Sequence, residues 1–321
     1  MKKIIILILW FVLCLFSSCS KPVNKENYTF FAMDTIISIS FYNVEDSKSI
    51  SKEVEKIYYK YDEVANDFKA GVREFNVFDL NEKREGTVSV ELKELIEFAM
   101  EMKEDTKGYL NPFIGRLSHL WKEALKENKM PSDDTIQKEL DIMKSTTLEI
   151  DNLHIKLIGQ GNLDLGSIAK GYATSKAKEY LDSIGCKNYL LNAGSSNLVL
   201  GSKDTESFTI GLSKALKTGY FYTLEIKEKA IATSSIKEQH TLMNGKYYSH
   251  LLNPWTGYPA QNYETLSIIG DDSKVLDAYS TACFAMELEQ LKQFLGDKNL
   301  EYILSKENRL FFKSEGVDAY A

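Results

Sequence analysis

Apolar residues along the chain switch between a spacing of two and a spacing of three to four, and the switches mark the elements. Between Ser47 and Phe68 they fall at Ile50, Val54, Ile57, Tyr61 and Val64, a helical period, with Asp46 and Ser47 as N-caps. A second helix is predicted from Val90 to Lys107, with Leu92, Leu95, Ala99 and Met102 on one face and Gly108 as its stop. Leu117–Lys129 reads as helix, as do Gly166–Ile184, ended by Gly185, and Leu276–Leu295, with a break near Leu288. Tyr28–Tyr42 reads as one strand, alternating through Thr35, Ile37 and Ile39. Two short strands are predicted within Leu148–Leu165, around the turn signals Asp151-Asn152 and Gly159-Gln160-Gly161. Further strands are predicted at Tyr189–Leu200, Thr209–Leu212, Tyr220–Ile226, Ile231–Ser234 and Thr265–Ile269, and within Tyr302–Phe312. Strands and helices do not alternate strictly, so the pattern predicts an α+β domain, not a doubly wound parallel sheet.

The N-terminus follows another logic. Lys2 and Lys3 precede an apolar run from Ile4 to Phe16, followed by Ser17-Ser18-Cys19. The run is shorter than the roughly 20 residues that span a bilayer and has the length of the apolar core of an export signal. Small residues directly before a cysteine resemble the bacterial lipobox, where the thiol is acylated before cleavage; Phe16 stands where leucine is usual. The expectation is a lipoprotein signal peptide at 1–18, a lipid on Cys19, a polar tether at 19–27 containing Pro22, and one domain at 28–321. That places the protein at the cell membrane, lipid-anchored on the extracytoplasmic face. An ordinary secretory signal with an incidental Cys19 is the alternative.

Composition narrows the picture further. With 44% hydrophobic and 26% charged residues the chain is ordinary globular protein. A net charge of −7, moving to −9 once Lys2 and Lys3 are removed, and the lack of a basic run argue against nucleic-acid binding. Cys186 and Cys283 remain after Cys14 and Cys19; two thiols in apolar surroundings read as buried small hydrophobes, not a disulfide framework.

Three segments carry candidate chemistry. In Asp164-Leu165-Gly166-Ser167-Ile168-Ala169-Lys170-Gly171-Tyr172 a strand ends, glycine turns the chain and a helix begins. A helix N-terminus with Lys170 one turn inside suits a phosphate; a tight turn packed through small residues accounts for the same letters. In Asp277-Ala278-Tyr279-Ser280-Thr281 a helix puts Asp277 and Thr281 on one face, two hard oxygen donors suited to Mg²⁺, or a solvated polar stripe. In Tyr248–Pro259 the pairs Asn253-Pro254 and Thr256-Gly257 mark a rigid loop beside His250, whose plain reading is a hydrogen-bonder that holds the loop. His119, His154 and His240 show no ligand spacing with His250, which argues against zinc.

Together the segments resemble the ApbE-type FAD:protein FMN transferases. Ala32-Met33-Asp34-Thr35 is similar to that family's M-[GD]-T motif, and Gly108-Tyr109-Leu110-Asn111-Pro112 to its G-x-F-D-P/I segment, with Leu110 and Asn111 replacing Phe and Asp. Asp164–Gly171 resembles D-L-G-[GA]-I-A-K-G, and Asn192-Ala193-Gly194 the N-x-G-G turn with Ser195 for the second glycine. Ala232-Thr233-Ser234 resembles A-T-S-G with Ser235 for glycine, His250–Gly257 resembles H-I-[IL]-[DN]-P-x-T-G, and Asp277–Thr281 resembles D-x-x-[DA]-T with Ser280 at its variable position. The resemblance implies an α+β, T-fold-like architecture of mixed and antiparallel sheets packed with helices. It implies a flavin site formed by Met33, Tyr109, Leu110, Asn111, Asp164, Lys170 and Leu252. It implies Mg²⁺ on Ser167, Asp277, Ser280 and Thr281, with Lys170 and His250 as catalytic candidates. The implied reaction is Mg²⁺-dependent transfer of FMN from FAD to a Thr or Ser hydroxyl of an exported or membrane redox flavoprotein, with release of AMP. An FAD pyrophosphatase and a non-enzymatic FAD-binding lipoprotein are the competing readings.

Overall fold

The computed structural model describes residues 24–203 and 206–320. The signal peptide expected at 1–18 and the lipidation site Cys19 lie outside the described residues, among which no helix is long and apolar enough to cross a membrane.

The chain opens with an antiparallel hairpin, β1 (Lys25–Ala32) and β2 (Thr35–Tyr42). The single strand predicted from Tyr28 to Tyr42 is thereby corrected. The chain reverses at Met33 and Asp34, whose φ angles are 53° and 57°. A two-residue hairpin turn of type I′ needs positive φ at both central positions, a demand usually signalled by Asn-Gly. Met-Asp carries no such signal, so the alternation runs through the turn unmarked. β1 also starts inside the segment expected to be tether, with Lys25 paired to Tyr42.

There follow α1 (Ser47–Ala65), α2 (Val77–Lys83), β3 (Glu85–Thr87), α3 (Val90–Asp105), α4 (Gly115–Glu127), α5 (Asp133–Lys144), β4 (Thr147–Asp151), β5 (His154–Ile158) and α6 (Ala169–Ser183). Next come β6 (Tyr189–Ala193), β7 (Asn197–Leu200), β8 (Phe208–Ser213), β9 (Tyr220–Ile226), β10 (Lys229–Ser235), β11 (His240–Met243), β12 (Lys246–Ser249) and β13 (Thr265–Gly270). The chain closes with α7 (Ser273–Phe284), α8 (Leu288–Asp297), β14 (Glu301–Lys306) and β15 (Arg309–Lys313). The break near Leu288 is the gap between α7 and α8. Neither α5 nor the β11–β12 hairpin is marked in the sequence reading. α5 was legible: Ser132 caps it, Asp133 and Asp134 fill its first turn, and Ile136, Leu140 and Met143 are buried at helical spacing.

The centre is an eight-stranded sheet in the order β1-β2-β6-β7-β10-β13-β14-β15, antiparallel at every pairing. Alternation divides it into two faces. One carries Ile37, Ile39, Leu191, Val199, Ala232, Leu266 and Ile268 into the main core, covered by α1, α6 and α7. The other carries Leu200, Ile231, Ile269 and Ile303 against Phe208, Leu212, Leu224 and Ile226 of the separate β8–β9 ribbon. The architecture is α+β with antiparallel sheets and packed helices, as the pattern predicts.

The contact that positions the chemistry is the crossing of α6 and α7. A Cβ on Gly171 would stand 2.3 Å from the Asp277 Cβ and 2.8 Å from the Ser273 carbonyl oxygen. The Ser273 hydroxyl donates to the Gly171 carbonyl at 2.9 Å. In an ordinary helix Gly→Ala stabilises by about 1 kcal/mol. Here the methyl has no room, and forcing one into a packed contact costs about 1–3 kcal/mol. Gly171→Ala is therefore expected to lower the thermal midpoint despite its helix propensity; an unchanged or higher midpoint in calorimetry would show that the two helices are free to part.

Candidate active site

A cavity of about 510 Å³ opens at the end of the sheet where β10 and the β6–β7 turn meet the N-terminus of α6. Among the positions singled out in the sequence, Met33, Tyr109, Leu110, Asn111, Asp164, Ser167, Lys170, His250, Leu252, Asp277 and Thr281 all line it. They come from segments more than two hundred residues apart in the chain, so the fold, not sequence proximity, assembles them.

Asp277 lies on α7 with its side chain buried against α6, and its Oδ2 accepts the Gly171 N–H at 2.8 Å. Burial pushes its carboxyl above the usual range, and the negative charge of Glu238 pushes the same way. The Lys170 ammonium, the Asn197 amide and the Gly171 N–H oppose that shift. Asn197, fully buried on β7, lies beside this carboxylate, yet neither of its amide atoms reaches hydrogen-bonding geometry with any partner among the described residues. Thr281 follows one turn after Asp277 and faces the same cavity.

Ser280 is corrected. It is fully buried and does not line the cavity; its hydroxyl is paired with Ser234 at 2.9 Å and with the Asp277 carbonyl at 3.0 Å. Helical geometry turns it towards β10, a different direction from its neighbours Asp277 and Thr281. The start of α6, for which the sequence leaves open a phosphate cradle or a tight turn, has several of its N–H groups taken within the protein. The helix begins at Ala169, later than the predicted Gly166. The Gly166 N–H donates to Asp164 Oδ1, those of Ile168 and Ala169 to the Leu165 carbonyl, and that of Gly171 to Asp277. The partial positive charge of the helix end therefore favours a carboxylate of the protein itself, and Lys170 is a cation of this segment that faces the cavity.

Met33 holds the strained hairpin turn at the cavity edge. Asn111 closes its own loop, with Oδ1 accepting the Phe113 N–H at 3.0 Å. Leu110 is anchored through its N–H to Thr106 Oγ1 at 3.0 Å, and the Tyr109 hydroxyl donates to Gln290 at 3.1 Å. His250 Nδ1 lies 3.4 Å from the Gln239 carbonyl oxygen. Burial lowers the imidazole pKa, so the ring is neutral near pH 7; a proton on Nδ1 shared with that carbonyl leaves Nε2 as the basic nitrogen.

Sequence reasoning missed Ser118 and Lys122 on α4 and Glu238 and Gln239 after β10, all of which line the cavity. Ser118 and Lys122 are one helical turn apart, on a stripe that resembles any solvated helix face. Glu238 follows a strand end with no local signal. Among the described residues there is no group of three or more His, Cys, Asp or Glu side chains arranged to hold a metal ion; the cavity offers one buried carboxylate with a neighbouring hydroxyl.

The chain is similar to known proteins along most of its length. The chain is 27% identical over 305 residues to the FAD:protein FMN transferase of Klebsiella pneumoniae, covering 89% of this chain and 93% of that protein. It is 23% identical over 314 residues to the FAD:protein FMN transferase of Treponema pallidum, covering 89% and 87%. In fold it is similar to the ApbE protein of Thermotoga maritima, with a TM-score of 0.82 at 23% identity over 92% of this chain and 99% of that one. It is also similar to the flavin transferase ApbE of Vibrio cholerae, with a TM-score of 0.78 at 19% identity over 94% and 100%. The model of the ApbE family matches residues 33–304, from the strained hairpin turn to the penultimate strand, and the chain belongs to that family.

Proposed function

We propose that this protein is an FAD:protein FMN transferase, which moves FMN from FAD to a Ser or Thr hydroxyl of an acceptor protein in a Mg²⁺-dependent reaction that releases AMP. The observation that carries the reading is the convergence, on one cavity, of the buried Asp277–Thr281 pair, Lys170 and the segments Met33, Tyr109–Asn111 and Asp164. Relatives that match along most of their length bear that activity as their name.

The residues fit a hard divalent cation. Asp277 is a carboxylate held in a place that disfavours its charge, beside the unpartnered Asn197 amide, with the Thr281 hydroxyl one turn away. Asp277, Thr281 and the Ser167 carbonyl would hold Mg²⁺, which takes oxygen donors and completes its shell with phosphate and water. When bound, the ion would supply Lewis-acid stabilisation of charge on the phosphoryl oxygens. Lys170 adds fixed positive charge at the same wall. The acceptor Oγ–P bond forms as the P–O bond to AMP breaks, and the hydroxyl proton passes to neutral His250. The loops at Met33 and Tyr109–Asn111 bind and orient the flavin half.

The direct test is incubation of the protein with FAD and Mg²⁺, with and without a Thr-bearing acceptor domain, read by mass spectrometry. An FMN adduct together with AMP is expected. AMP with free FMN and no adduct on any acceptor would replace transfer by hydrolysis. Asp277→Asn should lower turnover on the order of 100-fold or more while leaving the folded spectrum intact; full activity in saturating Mg²⁺ would remove Asp277 from the metal site. Because the pKa of His250 is depressed, the rate should rise with pH along a limb centred below the ordinary imidazole value of 6.5, then level. His250→Gln should abolish that limb, and its persistence would assign the base elsewhere.

The proposal extends to location. Lys2 and Lys3, the run Ile4–Phe16 and Ser17-Ser18-Cys19 support export and a lipid anchor at the extracytoplasmic face. Cys19→Ala is expected to move the protein from the membrane to the soluble fraction and to end incorporation of labelled palmitate. A Cys19→Ala protein that stays on the membrane would overturn the anchor.

A further inference from the structure

A second cavity of about 290 Å³ adjoins the first, and the two share Ser196, Thr233, Ser235 and Glu238. It lies on the face of the central sheet opposite the main helices. Its floor is Leu190 and Asn192 of β6, Leu198 of β7, Thr233 and Ser235 of β10, and Thr265 of β13, side chains that alternation directs to that face. The hydroxyls of Ser235 and Thr265 are paired at 3.0 Å. The opposite wall is β8, and it is unusual in kind. Five consecutive residues, Thr209 to Ser213, line the cavity. A strand that shows only one face contributes every second residue, so an unbroken run means that the strand presents its edge. Among the described residues β8 pairs with β9 alone, which leaves the N–H and C=O groups of that edge without a strand partner.

We propose that this groove binds an extended segment of the acceptor protein and presents its Ser or Thr to the donor cavity. The inference rests on the transferase reading above. A side-chain hydroxyl sits one carbon from its backbone, so a polypeptide nucleophile reaches the donor cavity only if its main chain runs along the rim. The groove supplies such a path. Main-chain pairing to β8 holds an extended segment whatever its sequence, the mode of recognition known as strand addition. Leu190, Leu198 and Ile210, partly buried, offer apolar contact to side chains on one side of that segment. Lys237 and Glu238 mark the opening into the donor cavity, and the charge of Glu238 reaches both His250 and Asp277. Water needs no such track, so the groove is a feature that transfer to protein uses and hydrolysis does not.

The test uses Ile210→Trp, which fills the groove at a position outside the donor cavity, with FAD affinity from flavin fluorescence and acceptor KM from the rate of adduct formation. The expected result is a rise in acceptor KM of about tenfold or more with unchanged FAD affinity and unchanged Mg²⁺ dependence. If Ile210→Trp loses its folded spectrum, Tyr220→Ala combined with Lys237→Glu, both on the exposed rim, should raise acceptor KM in the same direction. An acceptor KM equal to that of the unsubstituted protein in a folded variant overturns the groove and leaves the transferase reading standing. Weakened FAD binding with unchanged acceptor KM assigns the groove to the nucleotide and also overturns it. No adduct from the unsubstituted protein with any acceptor removes the transferase reading, and the groove falls with it.

Discussion

One hydrogen bond ties the fold to the chemistry: the Gly171 N–H to Asp277 Oδ2, at 2.8 Å. It needs α6 and α7 to approach so closely that no side chain fits at residue 171. It directs the positive end of α6 at a carboxylate on α7, where the helix dipole and the N–H both act on the same charge. The approach in turn depends on the small residues of α6 and on the main core, which seats both helices on one face of the sheet. Displacing either helix would move Asp277, Thr281 and Lys170 relative to one another at once.

The two faces of the sheet then divide the work. The helix-covered face fixes Asp277 and, through the Ser234–Ser280 pair, locks α7 to β10. The other face is apolar under the β8–β9 ribbon and turns polar at Asn192, Thr233, Ser235 and Thr265. On this face Thr233 pairs with Ser267 and Ser235 with Thr265, so hydroxyls meet across β10 and β13. The donor cavity sits at the end of the sheet where both faces are reachable. This explains why a groove on one face communicates with a site built on the other.

Much of this was legible in the sequence where a physical demand leaves a local mark. Helical spacing at Ile50–Val64 and the strand at Tyr220–Ile226 are legible because burial imposes a period, whereas the runs Tyr28–Tyr42 and Tyr189–Leu200 each hide a turn between two strands. The pairing of Asp277 with Thr281 is legible because residues four apart share a helix face. The failures are equally specific. Met33-Asp34 bends the chain without glycine or asparagine, so the alternation predicts one strand where the structure has a hairpin. Ser195 likewise holds φ 62° at a turn where the resemblance expects glycine; both positions accept backbone strain at a cavity rim. The motif groups Ser280 with the metal donors, while its rotation about the helix turns it to Ser234. Lys122, Glu238 and the edge of β8 left no mark, because their roles depend on which distant segment folds over them.

The charge balance at Asp277 links the fold to the proposed ion. Burial and Glu238 raise its pKa; Lys170 and the Gly171 N–H act against them without cancelling them. A carboxyl whose folded pKa exceeds its unfolded value binds its proton more tightly in the native state. Its contribution to stability is therefore present at low pH and lost as pH rises through the folded pKa. Replacing the acid by Asn would remove that pH dependence and also remove the anion. Burial disfavours the charged form of this carboxyl, and a divalent cation sharing the site would offset that cost. A protein built this way should hold its α6–α7 contact more firmly with a divalent cation than without, and the same ion that acts on the phosphate would then also fasten the helices that carry its ligands.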